Sequence, residues 1–455
     1  MSIAEAEETA RGNELVDQLR TWLEENWDPD LTVAEWWGRL GLAGWSAPML
    51  PTDSYGRGLT RRDSMRVGQI IAEFGGLGAP GGLGLGLAAP TIATHGTRQQ
   101  IDTYVRDIVT GQKAWCQLFS EPGAGSDLAG LTSRAVRDGD VWIINGQKVW
   151  TSGGQHADLG MLLARTNPDA PKHQGITWFA FDMHQPGVEI RPLRQMTGAA
   201  GFNEVFFTDA TVDDSARIGD LNNGWAVAQT TLHHERSGMG AGGGGRGGGA
   251  EAAAMRRMAI PGTVAGHLTR RVGEFVGGRT RPSRPRPAEP ARPAVGRRTS
   301  PAQDYIDLAR KLGKDTDPVI RQGLARLHTL RELARMNTER HRAVVAKGGD
   351  IPGIPNFSKL LMADNVRLTR DLGMQIVGMS GTLYAYDEEG RAQVASQVGP
   401  EVMSVAGQAL GAQALPIFGG TDQIQRNIIG ERILGLPKDP GDLANLPFSQ
   451  IPKNA

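Results

Sequence analysis

Two nearby stretches are the most informative part of this sequence: residues 119–127, which read FSEPGAGSD, and residues 144–152, which read INGQKVWTS. In the first, an apolar strand ending is followed by Pro122 and two glycines, which forbid a regular strand and permit positive-φ conformations that bring backbone amides close to a ligand. In the second, Trp150 and Ser152 fall on one face of a predicted strand and offer a flat apolar surface and a hydroxyl. Such a site suits a planar cofactor with a polar edge.

Composition indicates a globular protein of two or three domains, because 455 residues can bury a large core and 39% of them are hydrophobic. Lys+Arg and Asp+Glu both number 49, which gives no reason to expect nucleic acid or an anionic membrane as partner. The single cysteine, Cys116, lies in an apolar run, so we expect a buried structural thiol in a reducing compartment. The sequence shows neither an N-terminal signal nor an apolar run of the ~20 residues that span a bilayer, so we expect a cytoplasmic protein.

Three regions follow from the periodicity of apolar residues. Leu15, Leu19 and Trp22 recur at helical spacing near the start, whereas Val136 and Val141 flank an Asp-Gly turn in a region of short β-rich runs. The helical period returns after residue 224. The predicted domains are therefore an N-terminal helical domain over residues 1–113, a middle β domain over 114–221 and a C-terminal helical domain over 222–455.

Residues 237–300 interrupt the C-terminal helical pattern. Residues 242–249 read GGGGRGGG, which leaves little side chain to pack and a high cost of ordering, and the remainder is rich in arginine and proline. We expect a mobile loop, with a short helix over residues 255–276. Two interpretations stay open: a solvated insertion without function, and a docking arm for a partner or for anionic CoA.

Both opening stretches resemble the signature of the acyl-CoA dehydrogenase family, flavoenzymes in which such residues hold the isoalloxazine ring of FAD. The resemblance runs from residues 36–38 (WWG) and 44–45 (GW) to residues 421–427 (TDQIQRN), and it covers nearly the whole chain except residues 237–300. It implies an α+β, mainly α fold, with an N-terminal helical domain, a middle antiparallel β-barrel or sandwich, and a C-terminal domain resembling a four-helix bundle.

The resemblance also implies the ligands and partners. The substrate would be an acyl-CoA from fatty-acid or sterol side-chain degradation, the electron acceptor an electron-transferring flavoprotein, and the assembly a homo-oligomer, either dimer or tetramer, or a mixed tetramer with a related chain. The residues that would contact FAD are Phe119, Ser120, Gly125, Ser126, Trp150, Thr151, Ser152, Gln375, Gly378, Thr421 and Gln423. The residues that would contact the substrate are Ser126, Arg236, Gly419 and Gly420.

The C-terminal motif adds an expectation from the residues themselves. Thr421 is a predicted helix N-cap, in a helix with Ile424, Ile428 and Ile433 on its inner side and an end near residues 435–437. By the resemblance, Gln375 and Gly378 would reach the FAD of a neighbouring subunit. The chain departs from the family pattern at Met379, where a second glycine is common, and at residues 309–313 (ARKLG).

The family's reaction removes a proton from Cα of an acyl-CoA thioester while a hydride leaves Cβ for flavin N5. It therefore needs a carboxylate base beside the flavin and a polarised thioester oxygen. In many family members the base immediately precedes the Gly-Thr of the C-terminal motif. Here that position is Gly419, which has no carboxylate but keeps a backbone N–H that could donate to the thioester oxygen.

Glu235 stands at the position used by a second group of the family, similar to the isovaleryl- and long-chain-type enzymes, just before an arginine. Trp225, Ala228, Leu232 and Glu235 follow at helical spacing and share one face. A glutamate on an apolar face is either paired in a core salt bridge or functional. Because Gly419 lacks a carboxylate, we predict that Glu235 is the base.

Three further interpretations concern metal binding and alternative functions. His233 and His234 are adjacent and point about 100° apart, so they cannot share a metal, and no metal is predicted. The vacant Gly419 position favours an alternative in which the chain is a catalytically silent partner subunit of a mixed oligomer. Oxidation of nitroalkanes or oxygenation of aromatics is a third interpretation, which Glu235 disfavours.

Overall fold

The computed structural model describes residues 3–240, 268–276, 302–345, 347, 349, 351–438 and 442–452. The N-terminal region is helical and is built around a cluster of buried tryptophans and leucines that includes Leu19, Leu23, Trp36 and Trp37. A capping box between Thr32 and Glu35 starts its second helix. The helices are α1 (Ile3–Asn26), α2 (Val33–Leu42), α3 (Arg61–Phe74), α4 (Ala89–His95), α5 (Arg98–Gln100) and α6 (Arg106–Val109), with π-helical turns at Gly84–Ala88 and Ile101–Val105.

The middle region is one eight-stranded sheet with the order β6-β7-β3-β2-β4-β5-β8, and β1 is added beside β4. Most pairs are antiparallel, as predicted, but β1 runs parallel to β4, so the sheet is mixed. The predicted thiol burial is confirmed: Cys116 is fully buried in β1, and burial raises its pKa to about 12. The strands are β1 (Trp115–Leu118), β2 (Arg134–Asp138), β3 (Val141–Ser152), β4 (Leu159–Arg165), β5 (Ile176–Asp182), β6 (Val188–Leu193), β7 (Phe202–Asp213) and β8 (Arg217–Ile218).

The C-terminal region is helical and shares a core that includes Tyr305, Leu327, Leu372 and Val402. No helix in the part of the chain described is long and apolar enough to cross a membrane. The helices are α7 (Gly224–Gly240), α8 (Gln303–Lys311), α9 (Pro318–Val345), α10 (Ile354–Val377), α11 (Glu388–Val398), α12 (Pro400–Gly411) and α13 (Asp422–Ile428), the last continued by a π-helical turn at Ile429–Ile433.

The inner face of α13 differs from the prediction. The most buried residues are Asp422, Gln425 and Ile429, not the predicted isoleucines. Asp422 forms ion pairs with Lys359 and Arg367, and Gln425 accepts a hydrogen bond from Asn356 at 2.7 Å. A pattern of apolar residues could not reveal this face, because its polar side chains are buried against charged and amide partners from α10.

A buried ion pair joins the 119–127 turn to β3. Lys148 is fully buried, and its Nζ lies 2.9 Å from Oε1 of Glu121 and donates to the Phe119 carbonyl at 3.0 Å. The same carboxylate accepts hydrogen bonds from the backbone and hydroxyl of Thr132 and from the backbone of Ser133. Burial by itself would raise the pKa of Glu121, but the Lys148 charge and the Ser133 and Thr132 donors outweigh it and lower the pKa from 4.5 to about 2.

Residues 268–276 correct the expectation for the insertion. They form a turn and a short 3₁₀ helix, Val272–Glu274, so the helix predicted over residues 255–276 does not extend through residues 268–276, which dock on the N-terminal helices. Val33 N–H donates to the Arg270 carbonyl at 2.8 Å, and Ala34 N–H to the Leu268 carbonyl at 3.0 Å. These N–H groups belong to the first turn of α2, where the helix supplies no acceptor. Residues 241–267 and 277–301, which hold the glycine run and the rest of the predicted loop, lie outside the residues described.

The docking of residues 268–276, here called the α2 strap, can be tested by a charge at its centre. Val272 is fully buried in the N-terminal core, so Val272→Asp should detach the α2 strap. Backbone N–H exchange at Val33 and Ala34 should then accelerate by about tenfold or more. Thr269→Asp, at an exposed position of the same segment, is the matched control. Unchanged exchange at both amides in Val272→Asp would contradict the docking.

The Glu121 pair predicts a specific acid response. Because the folded pKa of Glu121 lies below its usual value, the ionised carboxylate stabilises the fold at neutral pH, and this stabilisation is lost as pH falls from 4.5 through about 2. Denaturant unfolding of the double variant Glu121→Gln/Lys148→Met should lack this part of the pH dependence. The single variant Glu121→Gln should lose about 3–5 kcal/mol of stability at neutral pH, since it leaves the Lys148 charge buried alone.

Glu73→Gln serves as the control for the acid experiment, because Glu73 is an exposed carboxylate whose nearest charged partner, Arg20, lies 3.8 Å away. This variant should keep the wild-type pH dependence of the free energy of unfolding below pH 4.5. A double variant at Glu121 and Lys148 that still follows the wild-type pH dependence below pH 4.5 would be incompatible with the assignment.

Candidate functional site

The 119–127 turn is closed by a reciprocal pair of backbone hydrogen bonds between Glu121 and Ala124, both 3.0 Å long. Neither Gly123 nor Gly125 has a positive φ, so the turn does not use the left-handed conformations that its glycines permit. Their use is spatial: apart from the adjacent residues, a Cβ at either glycine would meet no atom of the described residues within 4 Å. The glycines thus leave open space above the turn, where a ligand can approach the main chain.

The indole of Trp150 stands beside this turn. Val149 N–H donates to the Ser120 carbonyl at 2.9 Å, which joins β3 to the turn one residue before the tryptophan. Trp150 itself has a φ of 61° at a β-bulge, and 60% of its surface is exposed. A positive φ is rare for a bulky residue and requires support from its surroundings. The ring meets Phe202 edge-on at 5.9 Å and leaves most of its surface open.

The other residues predicted to contact FAD on these two segments differ in their exposure to solvent. Ser152, Gly125 and Ser126 are exposed, and Ser120 is partly buried. Phe119 and Thr151 are buried, and the hydroxyl of Thr151 is enclosed in the protein without a hydrogen-bond partner among the residues described. Any contact between Thr151 and a ligand on the exposed face would therefore come from its main chain.

Helix α7 brings Glu235 next to β1. Oε2 of the half-buried Glu235 lies 3.5 Å from Nε2 of Gln117, at the long end of hydrogen-bond distance. Gln117 is in β1, two residues before the turn begins. The tertiary structure therefore brings the predicted base close to the strand that leads into the turn. The position of Gln117 was not predicted, and its only signal is a polar residue in the otherwise apolar strand WCQL.

The orientation of α7 is fixed by contacts with α4. The hydroxyls of Thr91 and Thr231 lie 3.0 Å apart in the core, and His95 Nε2 lies 2.8 Å from the Thr230 hydroxyl. On the same helix, the rings of His233 and His234 are inclined at 79° to each other. Burial, and then the neighbouring His233, lowers the pKa of His234. The side chain of Arg236 lies outside the part of the structure described.

The loop before α13 is held in a single shape. Gly419 and Gly420 both have positive φ, at 64° and 85°, and Nε2 of Gln425 donates to the Gly419 carbonyl at 3.0 Å. Thr421 is the N-cap, as predicted, and its hydroxyl accepts from the Ile424 N–H. Within the described residues, no acceptor receives the N–H of Gly419 or Gly420. Both donors are therefore available to an oxygen of a ligand.

The remaining predicted cofactor residues lie on the C-terminal helices. Gln375 and Gln423 are exposed, and Gly378 ends α10 with a φ of 58°. Met379, the departure from the family pattern, is 84% exposed. Among the residues described, no hydrogen bond joins this set to residues 119–127 or 144–152. Within one chain, a hydrogen-bond contact to β1 brings Glu235 close to the turn, and no such contact does so for Gln375, Gly378 or Gln423 among the residues described.

Comparison with known proteins identifies the family. The acyl-CoA dehydrogenase N-terminal domain matches residues 4–112, the middle domain residues 116–210 and the C-terminal domain residues 297–434. These ranges leave residues 211–296 uncovered, and Glu235 lies among them. A role for Glu235 therefore has to be argued from its position in the structure and not from the family models.

Individual relatives extend the match. Acyl-CoA dehydrogenase IpdE1 of Mycobacterium tuberculosis is 32% identical over 407 residues, covering 89% of this chain and 88% of that protein. Acyl-CoA dehydrogenase FadE34 of the same organism is 48% identical over 203 residues, which span 45% of this chain but only 28% of that protein.

Solved structures share the fold at lower identity. The Tcur3481-Tcur3483 steroid ACAD matches with a TM-score of 0.62 and 24% identity, covering 94% of this chain and 98% of that one. The ChsE4-ChsE5 complex from Mycobacterium tuberculosis matches with a TM-score of 0.58 and 24% identity, over 94% and 98% of the two chains. Since three domain models match in order and IpdE1 is 32% identical over 88% of its length, the chain belongs to the acyl-CoA dehydrogenase family, a family of oxidoreductases.

Proposed function

We propose that this chain is an FAD-dependent acyl-CoA dehydrogenase in which Glu235 takes the α-proton of an acyl-CoA thioester. The observation that carries the proposal is the carboxylate of Glu235 beside Gln117, on the strand that enters the 119–127 turn. The position before Gly420 and Thr421, where many family members have their base, is a glycine. Glu235 is thus the carboxylate that the proposed chemistry would use.

The residues of the turn and β3 fit a flavin. Open space above Gly123 and Gly125 lets a planar polar edge approach the main chain, and the exposed indole of Trp150 offers a stacking face. Ser126 and Ser152 add exposed hydroxyls on the same two segments. When bound, FAD would supply a hydride acceptor at N5.

The protein's own residues would carry out proton removal, polarisation of the thioester and binding of CoA. Glu235 would remove the proton from Cα, and the Gln117 amide, 3.5 Å from Oε2, would orient the carboxylate. The N–H groups of Gly419 and Gly420, held by Gln425, would donate to the thioester oxygen and stabilise the charge that develops there. Arg236 and Ser126 would contact the CoA part of the substrate, and an electron-transferring flavoprotein would receive the electrons.

The acyl group would come from a fatty acid or a sterol side chain. The sterol option is supported by the fold shared with the Tcur3481-Tcur3483 steroid ACAD. A panel of straight-chain and steroid acyl-CoA thioesters, with dye-coupled reduction as the measurement, distinguishes the two substrate classes.

Substitution of the base separates cofactor binding from chemistry. Glu235→Gln keeps the size and hydrogen-bonding capacity of the side chain but cannot accept the α-proton. It should bind FAD with the wild-type visible spectrum, while bleaching of the flavin by an acyl-CoA slows by about 10²–10⁴-fold. Stopped-flow absorbance under single-turnover conditions measures the step.

Gln229→Ala is the matched control for this substitution, because Gln229 is exposed on the same helix. It should bleach at the wild-type rate. Bleaching of Glu235→Gln at the wild-type rate would eliminate Glu235 as the base while leaving the flavin assignment intact.

A second candidate function is that of a catalytically silent subunit in a mixed oligomer with a related chain. It is favoured by Gly419 and by the structural likeness to the ChsE4-ChsE5 complex. The proposed enzyme, expressed alone, should contain about one FAD per chain by absorbance. A colourless, aggregating product that a co-expressed related chain restores to solubility would instead support the silent subunit.

A further inference from the structure

We propose that Phe448 is a positioning residue for the 119–127 turn and, through it, for the FAD of the proposed function. The inference rests on that function only for its cofactor. The structural part concerns a path of contacts from residues 446–451, here called the tail segment, to the carboxylate of Glu121. Phe448 touches none of the proposed reacting groups and would act through Arg165.

The tail segment is attached by its main chain to the loop between β4 and β5. Phe448 N–H donates to the Ala170 carbonyl at 2.9 Å, and Ser449 N–H donates to the Pro168 carbonyl at 2.8 Å. Pro447 forms a β-bridge with Pro171. These bonds fix the backbone of the tail segment, and the ring of Phe448 is buried to 9% exposure as a result.

The ring of Phe448 covers the guanidinium of Arg165. Cζ of Arg165 lies 3.8 Å from the ring centroid, and Arg165 is only 4% exposed. Its nitrogens donate to three carbonyls, those of Ala129 at 2.6 Å, Lys172 at 2.7 Å and Leu131 at 3.3 Å. Within the described ranges Arg165 has no ion pair and its buried Nε has no hydrogen-bond partner, and burial lowers its pKa to about 10. The aromatic face and the carbonyl dipoles therefore replace only part of the lost hydration, and the loss of either should be felt at the guanidinium.

From Arg165 the path continues to the turn. The carbonyls of Ala129 and Leu131 precede the backbone of Thr132 and Ser133, whose N–H groups donate to Glu121. The backbone N–H of Arg165 also donates to the Ser133 carbonyl at 2.7 Å. Arg165 therefore holds the segment from which the Glu121 carboxylate draws its backbone donors. Removing the ring would admit water to the guanidinium and loosen this segment, since the carbonyls would then compete with water for its donors.

The test uses the full chain and two substitutions at one position. Phe448→Ala removes the ring, whereas Phe448→Tyr retains an aromatic face over Arg165. Leu443→Ala, at a 47% exposed position nearby in sequence, is the matched control. Hydrogen exchange at the Thr132 and Ser133 amides and the Kd for FAD, measured by fluorescence titration, are the readouts.

We expect Phe448→Ala to exchange the Thr132 and Ser133 amides about tenfold faster and to bind FAD about tenfold more weakly. Amides in the centre of β5 should remain protected, and Phe448→Tyr and Leu443→Ala should match the wild type. Unchanged exchange in Phe448→Ala, or acceleration spread equally over β5, would overturn the inference. A wild-type chain that binds no FAD would overturn the proposed function, while the exchange result would still decide the positioning role.

Discussion

The ion pair between Glu121 and Lys148 is the constraint on which the candidate site depends. A carboxylate and an ammonium taken out of water are tolerated only when their remaining hydrogen-bonding capacity is met. Here that capacity is met by the Phe119 carbonyl and by donors from Thr132 and Ser133. The arrangement locks β3, the turn and the residues that follow it into one geometry, because a shift of any of them would leave a buried charge uncompensated.

That geometry explains where the exposed tryptophan stands. Lys148 points into the protein, and two residues later the bulge of β3 turns Trp150 outward at a positive φ. Lys148 and Thr151, on either side of Trp150, are both fully buried. These anchored neighbours hold the tryptophan in its strained backbone conformation. A rigid, exposed indole beside an open turn is thus a consequence of a buried charge pair.

Three parts of the chain are held in place by polar contacts with residues distant in the sequence, and these contacts carry little sequence pattern. Helix α7 is set against α4 through a pair of threonine hydroxyls, and it delivers Glu235 to Gln117. The α2 strap returns from the insertion to supply acceptors to the first turn of α2, and the tail segment returns to cover Arg165. In each case a polar group of a helix end, strand or loop is satisfied by residues far away in the chain.

The sequence was enough to predict the helical and β-rich regions, the buried thiol and the N-cap at Thr421, because these follow from local periodicity and side-chain chemistry. It also identified the family, since residues 119–127 and 144–152 carry a recognisable pattern. Three features became visible only in the folded chain: β1 runs parallel to β4, the polar face of α13 is buried, and Gln117 meets Glu235. The physical reason is that a buried polar group is stable only with a partner, and the partner's position is set by packing between segments rather than by the local order of residues.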